Sequence, residues 1–214
     1  MMAIAPEGRR VLAVIAGAAG AIGLAGALMG YPWIGLPGVV FLFLATWFFR
    51  DPERVPPENP NLVVSPADGR VLDVRRVEER DLLGTAANRV SIFMSPLNVH
   101  VNRSPLAGAI ERIRHTPGKF HAAFADKAAD ENERTAVVVA GPWGRMLVVQ
   151  IAGALARRIV CRRSEGDALA RGERYGMIMF GSRVDVYLPL EFRVRVTPGM
   201  RVKAGSTAIG EVPR

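Results

Sequence analysis

Between Arg10 and Arg50 the sequence carries no Asp, Glu, Lys or Arg, and no other feature restricts so tightly what the chain can fold into. A helix needs about 20 apolar residues to cross the hydrocarbon core of a bilayer. Residues 11–29 meet that length once, and residues 34–49 offer a shorter second run beyond the interruption at Gly30, Pro32 and Gly35. The pattern predicts a membrane-anchoring helical hairpin over residues 1–50. Two shallow re-entrant helices fit the same pattern, because the first run is rich in Gly and Ala and the second is short. Arg9, Arg10 and Arg50 bracket the apolar runs, so the charge bias puts both ends on the cytoplasmic face of the cell membrane, and Tyr31, Trp33 and Trp47 suit interfacial positions. A cleaved leader ending near Ala25-Gly26-Ala27 is the alternative, but the hydrophobicity resumes beyond that point.

The composition changes abruptly at residue 51. Pro52, Pro56, Pro57 and Pro60 resist helix and sheet alike, which makes residues 51–61 a linker. Over residues 62–214, short β-branched runs alternate with Gly, Pro and Asp, as in a β-rich domain. The expected fold class is therefore α+β, β-rich: a single globular domain behind an N-terminal helical anchor. Runs 62–64 and 70–74 flank a turn at Ser65-Pro66-Ala67-Asp68-Gly69. Runs 135–140 and 146–151 make a hairpin across Gly141-Pro142-Trp143-Gly144, and 184–188 pairs with 192–196. Short helices are expected at 119–129 and 167–170. Residues 67–74 and 198–212 are weakly alike, and the latter has the look of a lipoyl-type β hammerhead.

Charge narrows the partners. Lys and Arg number 28 against 20 Asp and Glu, a net charge of +8, which favours an acidic partner. The arginines are scattered, with no basic block, aromatic stacking array or zinc spacing, so anionic membrane lipid is the expected partner and nucleic acid is not. The single cysteine, Cys161, rules out an internal disulfide and a Cys-rich metal site and reads as a core residue. No metal is expected.

The chemistry concentrates at Gly181-Ser182, within Phe180-Gly181-Ser182-Arg183. A serine hydroxyl can attack the preceding peptide carbonyl and convert the amide to an ester. β-Elimination of that ester leaves dehydroalanine, which hydrolyses to a pyruvoyl group. Glycine before the serine permits the backbone geometry such an attack needs. The hydroxyl is a weak nucleophile until a base activates it, so the pair alone is ordinarily a turn. Asp68 alone is ordinarily a turn residue, and His100 a satisfied core histidine.

Four motifs in order change that weighting: Ser65-Pro66-Ala67-Asp68-Gly69, Ser95-Pro96-Leu97-Asn98-Val99-His100-Val101-Asn102-Arg103, Asn132-Glu133-Arg134 and Phe180-Gly181-Ser182, preceded by Phe48-Phe49-Arg50-Asp51-Pro52. Together they resemble phosphatidylserine decarboxylase proenzymes, most closely the short form, over nearly the whole chain. The resemblance implies a self-processing, pyruvoyl-dependent lyase that converts phosphatidylserine to phosphatidylethanolamine in phospholipid biosynthesis through a Schiff base. Ser182, His100 and Asp68 map onto the residues of self-cleavage, with residue 182 the cofactor precursor. His100, with an ordinary pKa of about 6.5, suits the base, and Asp68 its orienting group. Cleavage between Gly181 and Ser182 implies a larger subunit (1–181) and a smaller one (182–214) held together as a heterodimer, with further oligomerisation left open. Larger relatives carry a second histidine where this chain has Leu97; His115 and His121 are the other histidines available. Arg103, Arg134, Arg157 and Arg158 are candidates for the lipid phosphate. Two other readings stand beside this one: a decarboxylase of another serine-bearing lipid, and a non-enzymatic membrane adaptor on a lipoyl-like domain.

Overall fold

The computed structural model describes residues 3–125, 127–154, 158–179 and 181–213. Contacts divide the chain into two units, Met1–Glu53 and Arg54–Arg214.

In the first unit, β1 (Ala3–Ile4) pairs with β2 (Arg50–Asp51), closing the ends of a helical segment. Helix α1 (Pro6–Leu28) begins on a proline, whose missing N–H is lost at no cost in a first turn. At 23 residues it is about 34 Å long, enough to cross a bilayer core of about 30 Å. A 3-10 turn (Pro32–Gly35) leads to α2 (Leu36–Phe48), which at 13 residues is about 20 Å and shorter than that core. The two helices approach closely through small residues: a β-carbon on Gly38 would lie 2.8 Å from Ala19 Cβ. Arg50 closes the unit, donating to the Trp47 carbonyl at 2.6 Å with its guanidinium over the Trp47 ring.

The second unit is built of strands. In chain order they are β3 (Leu62–Val64), β4 (Gly69–Glu79), β5 (Thr85–Met94), β6 (Val101–Arg103), β7 (Gly108–Thr116), β8 (Arg134–Gly141), β9 (Gly144–Ile151), β10 (Arg158–Cys161), β11 (Ala168–Leu169), β12 (Arg174–Met179), β13 (Ser182–Pro189), β14 (Arg193–Val194), β15 (Arg201–Val202) and β16 (Ala208–Glu211), with one helical turn, α3 (Ala128–Glu131), before β8. Eight form an antiparallel sheet in the order β11-β7-β8-β9-β13-β5-β4-β15, curled into a half-barrel. Two three-stranded sheets, β10-β12-β6 and β14-β16-β3, complete the unit.

Alternation along β13 sorts its residues to two faces. Ser182, Val184, Val186 and Leu188 point into the main core, where Val90, Ile92 and Val148 meet Tyr175 and Ile178 of β12 and Ile209 of β16. Arg183, Asp185 and Tyr187 point the other way, toward a smaller cluster around Leu147, Val149 and Ile151. Arg183 donates Nε and Nη2 to the two Asp185 oxygens at 2.6 and 3.0 Å, and Nη2 also to Ser91 Oγ at 2.8 Å, with both charged residues almost completely buried. Burial pushes the Asp185 carboxyl up against the pull of Arg183, and pushes the Tyr187 hydroxyl up to about 12.

The hairpin expected at 135–140 and 146–151 forms as β8 and β9, with Gly141 opposite Gly144. Other expectations need correction. Residues 184–188 lie in β13, which pairs with β5 and β9, whereas Arg193–Val194 pairs with β16, because long-range burial of both faces of β13 outweighs the local turn. Runs 62–64 and 70–74 likewise join different sheets. The helix expected at 119–129 shrinks to α3, since Lys119 and His121 are drawn into hydrogen bonds with residues 131–133. That expected at 167–170 is instead strand, paired with Gly108 and Ala109. Cys161 is partly buried against the core rather than inside it.

Leaving one member of the Arg183–Asp185 pair buried without the other is expected to cost about 3–5 kcal/mol, so Arg183→Met lowers the urea midpoint in detergent, while Arg183→Met with Asp185→Leu recovers most of the loss. Equal instability of single and double variants would contradict this.

Candidate active site

Ser182 opens β13 opposite Met94 of β5, and its side chain is completely buried. Its hydroxyl donates to Met94 Sδ at 3.4 Å, a weak acceptor that holds the rotamer without drawing off the proton. The same sulfur faces Asn102 Nδ2 at 3.8 Å. Asn102 also donates to the Pro66 carbonyl at 3.4 Å and accepts from Gln150 Nε2 at 2.8 Å, so a buried amide pair lines the core beside the serine.

His100 precedes β6 and is also completely buried. Its Nδ1 lies 2.9 Å from the Asn98 carbonyl. A carbonyl only accepts, so Nδ1 carries the proton and the neutral ring has its lone pair on Nε2, the form a general base requires. The Ser95-Pro96-Leu97-Asn98 motif supplies this carbonyl from a turn closed twice, Asn98 N–H to Ser95 O and Ser95 N–H to Asn98 Oδ1, both at 2.9 Å. The His100 carbonyl accepts from Ile178 N–H at 3.3 Å, tying it to the strand that leads to the Gly181–Ser182 bond.

Asp68 sits in the turn between β3 and β4. Its carboxylate accepts the Ala204 N–H at 2.7 Å and Arg54 Nη2 at 3.1 Å. This turn is bonded to β6, since the Pro66 carbonyl accepts the Arg103 N–H at 3.0 Å as well as Asn102 Nδ2. The expected trio thus lies on three segments linked through Asn102.

Gly181 has φ +59°, the left-handed region that glycine adopts freely. Residues 180 and 181 are the whole connection between β12, in one small sheet, and β13, in the large one; Phe180 itself lies outside the described residues, as does the candidate Arg157. Gly153, just past β9, meets the bond from the other side. A β-carbon there would overlap the Gly181 carbonyl oxygen and come 3.1 Å from Ala123 Cβ. The Gly181 carbonyl therefore packs directly on the Gly153 backbone. Asn132 secures this wall, donating to the Ala152 carbonyl at 2.7 Å and the His121 carbonyl at 2.9 Å, which gives the Asn132-Glu133-Arg134 motif a structural role.

The remaining candidates are engaged elsewhere. His115 is exposed on β7, 3.2 Å from Thr135 Oγ1. His121 Nε2 and Lys119 both meet Glu131, whose carboxyl they hold below its usual range. Arg103 is buried with Nη1 on the Gly172 carbonyl, Arg134 donates to the Asp130 carbonyl, and Arg158 is exposed at the start of β10. Among the described residues no three His, Cys, Asp or Glu side chains converge as metal ligands. Met94, Gln150, Arg54 and Gly153 escaped the sequence reading. None of the four leaves a trace in the sequence beyond ordinary strand, turn or linker composition.

Gly153→Ala forces a carbon into the space of the Gly181 oxygen, at a cost of about 1–3 kcal/mol. The self-cleavage that the motif resemblance implies is expected to slow by about 10- to 100-fold in a chain that still folds, followed as the uncleaved band on a denaturing gel. Cleavage at the wild-type rate would show the contact to be irrelevant.

Comparison with known proteins gives a single answer. A family model described as phosphatidylserine decarboxylase matches residues 41–210. A phosphatidylserine decarboxylase proenzyme from Syntrophus aciditrophicus is 45% identical over 179 residues, 83% of this chain and 84% of its own. Another, from Magnetococcus marinus, is 43% identical over 213 residues, 98% of this chain and 95% of its own.

Proposed function

The chain belongs to the phosphatidylserine decarboxylase family, and from that premise we propose that it breaks its own Gly181–Ser182 bond and then decarboxylates phosphatidylserine to phosphatidylethanolamine in phospholipid biosynthesis. The observation that carries this reading is the buried Ser182 hydroxyl, whose partner among the described residues is a thioether, directly after a left-handed glycine.

In the first step His100 Nε2 takes the Ser182 hydroxyl proton and Oγ attacks the Gly181 carbonyl carbon. The carbon–nitrogen bond breaks, the Ser182 nitrogen gains a proton, and an ester joins Gly181 to Oγ. Loss of the Ser182 α-proton then expels the Gly181 carboxylate, and water replaces the nitrogen as ammonia. Asp68 is proposed as the group that favours the charged imidazole, supported by the bonds between its turn and the strand after His100. Burial at residue 182 suits the product: a free N-terminal ammonium there would be desolvated at high cost, whereas a neutral keto group is tolerated. The pyruvoyl group at residue 182 supplies an electron sink for a carboxylate-bearing amine. His100 is proposed to return a proton to the former α-carbon once carbon dioxide has left.

Residues 182–214 remain bound after cleavage because β13 is paired on both edges, β15 pairs with β4 and β16 with β3, all strands of the larger fragment. The proposed boundaries are an anchor over 1–50, a linker over 51–61 and a catalytic domain over 62–214. Arg9, Arg10 and Arg50 favour a cytoplasmic placement of both anchor ends, where anionic lipid attracts the basic chain.

Ser182→Ala is expected to remain a single chain, to release no carbon dioxide from carboxyl-labelled phosphatidylserine, and to stay in the membrane fraction. A cleaved, active alanine variant would overturn the mechanism. His100→Ala is expected to slow cleavage by about 10²–10⁴; normal maturation would remove His100 from that step.

A further inference from the structure

The end of the large sheet that carries Ser182 is rimmed by apolar side chains that the core does not use. Leu97 and Phe124 are 69% and 65% exposed, and Phe120 is 39% exposed. They sit on two loops that flank the scissile bond from different sides. Pro96, beside Leu97, would stand 3.9 Å from a β-carbon on Gly181, and Ala123, beside Phe124, faces Gly153 where that glycine supports the Gly181 carbonyl.

Both loops are held in place. The Leu97 loop is closed by the paired Ser95–Asn98 hydrogen bonds. The other is fixed by Asn132, which bonds the His121 N–H and carbonyl, and by the Phe124 ring, which meets the Phe93 ring edge-on at a centroid distance of 6.0 Å. Exposed apolar residues on tethered loops mark a surface shaped for an apolar partner.

We propose that Leu97, Phe120 and Phe124 form a rim that dips into the bilayer and seats the mouth of the Ser182 site at the head-group level. This rests on the reading of the protein as a decarboxylase of a membrane lipid. Residue 182 is completely buried and opens its strand at the sheet end that carries both loops, so that end is the approach the proposal gives a head group. A diacyl lipid keeps its tails in the bilayer, so that end has to lie at the interface, where aromatic and aliphatic side chains partition favourably. A soluble partner protein explains the exposure less well, because it would block the approach of the head group.

The test uses the full chain in phosphatidylcholine vesicles containing phosphatidylserine, and compares its rate with that on a short-chain phosphatidylserine dissolved as monomer. Leu97→Asp and Phe124→Asp are each expected to mature normally, to lose about tenfold on vesicles through one lost apolar insertion, and to keep the monomer rate within about twofold. Leu97→Ser and Phe124→Ser give the same split, more weakly, should an aspartate variant fail to fold. Trp143→Asp, in the β8–β9 turn at the opposite end of the sheet, is expected to change neither rate. Equal losses on both substrates, no loss on either, or a vesicle-specific loss from Trp143→Asp would overturn the rim. A matured wild-type protein with no decarboxylation of either substrate would overturn the functional reading and the rim with it.

Discussion

The strand Ser182–Pro189 is hydrogen-bonded along both edges, to β5 on one side and β9 on the other, and the rest of the catalytic unit depends on that. Its inward face supplies Val184, Val186 and Leu188 to the main core, and its outward face carries the buried Arg183–Asp185 pair. A strand so placed cannot shift register without exposing the first set and burying charge where the core now lies. Ser182, at its first position, is therefore fixed in depth, orientation and partner before any chemistry starts.

The proposed self-cleavage would place an unusual demand on such a strand: the bond before it must break and the structure must survive. The connection from β12 to β13 meets this demand by being short and by joining two different sheets, so each new end stays in the sheet it already belongs to. Gly181 supplies the left-handed turn, Gly153 the close support beneath the carbonyl, and Met94 a soft acceptor that leaves the hydroxyl reactive. The Asn98 carbonyl sets the His100 tautomer. Cleavage and catalysis, as proposed, thus draw on one small region at one end of one sheet.

Local features were the legible ones. The β8–β9 hairpin follows from alternation around a glycine-flanked turn, and the apolar run over residues 11–29 contains α1 as far as Leu28, the helix beginning earlier, at Pro6. The pairings of β13 were not legible, because they join residues far apart in sequence and are decided by burial. The expected helix over 119–129 failed for a related reason: Asn132 competes for the backbone of His121, and nothing within the segment announces that. At the site, Gly181, Ser182, His100 and Asp68 stand in recognisable motifs, whereas Met94, Gln150 and Gly153 come from unremarkable strand and turn sequence. Arg54, which meets Asp68, lies in a stretch that reads only as linker.

The central claim is that the Gly181–Ser182 bond is broken by the chain itself and that Ser182 becomes the reactive carbonyl. The mass of the purified wild-type protein under denaturing conditions tests it most directly. The account predicts two species, with the smaller matching residues 182–214 less one molecule of ammonia. A single chain of full mass, or a small fragment that keeps its serine amine, would contradict it.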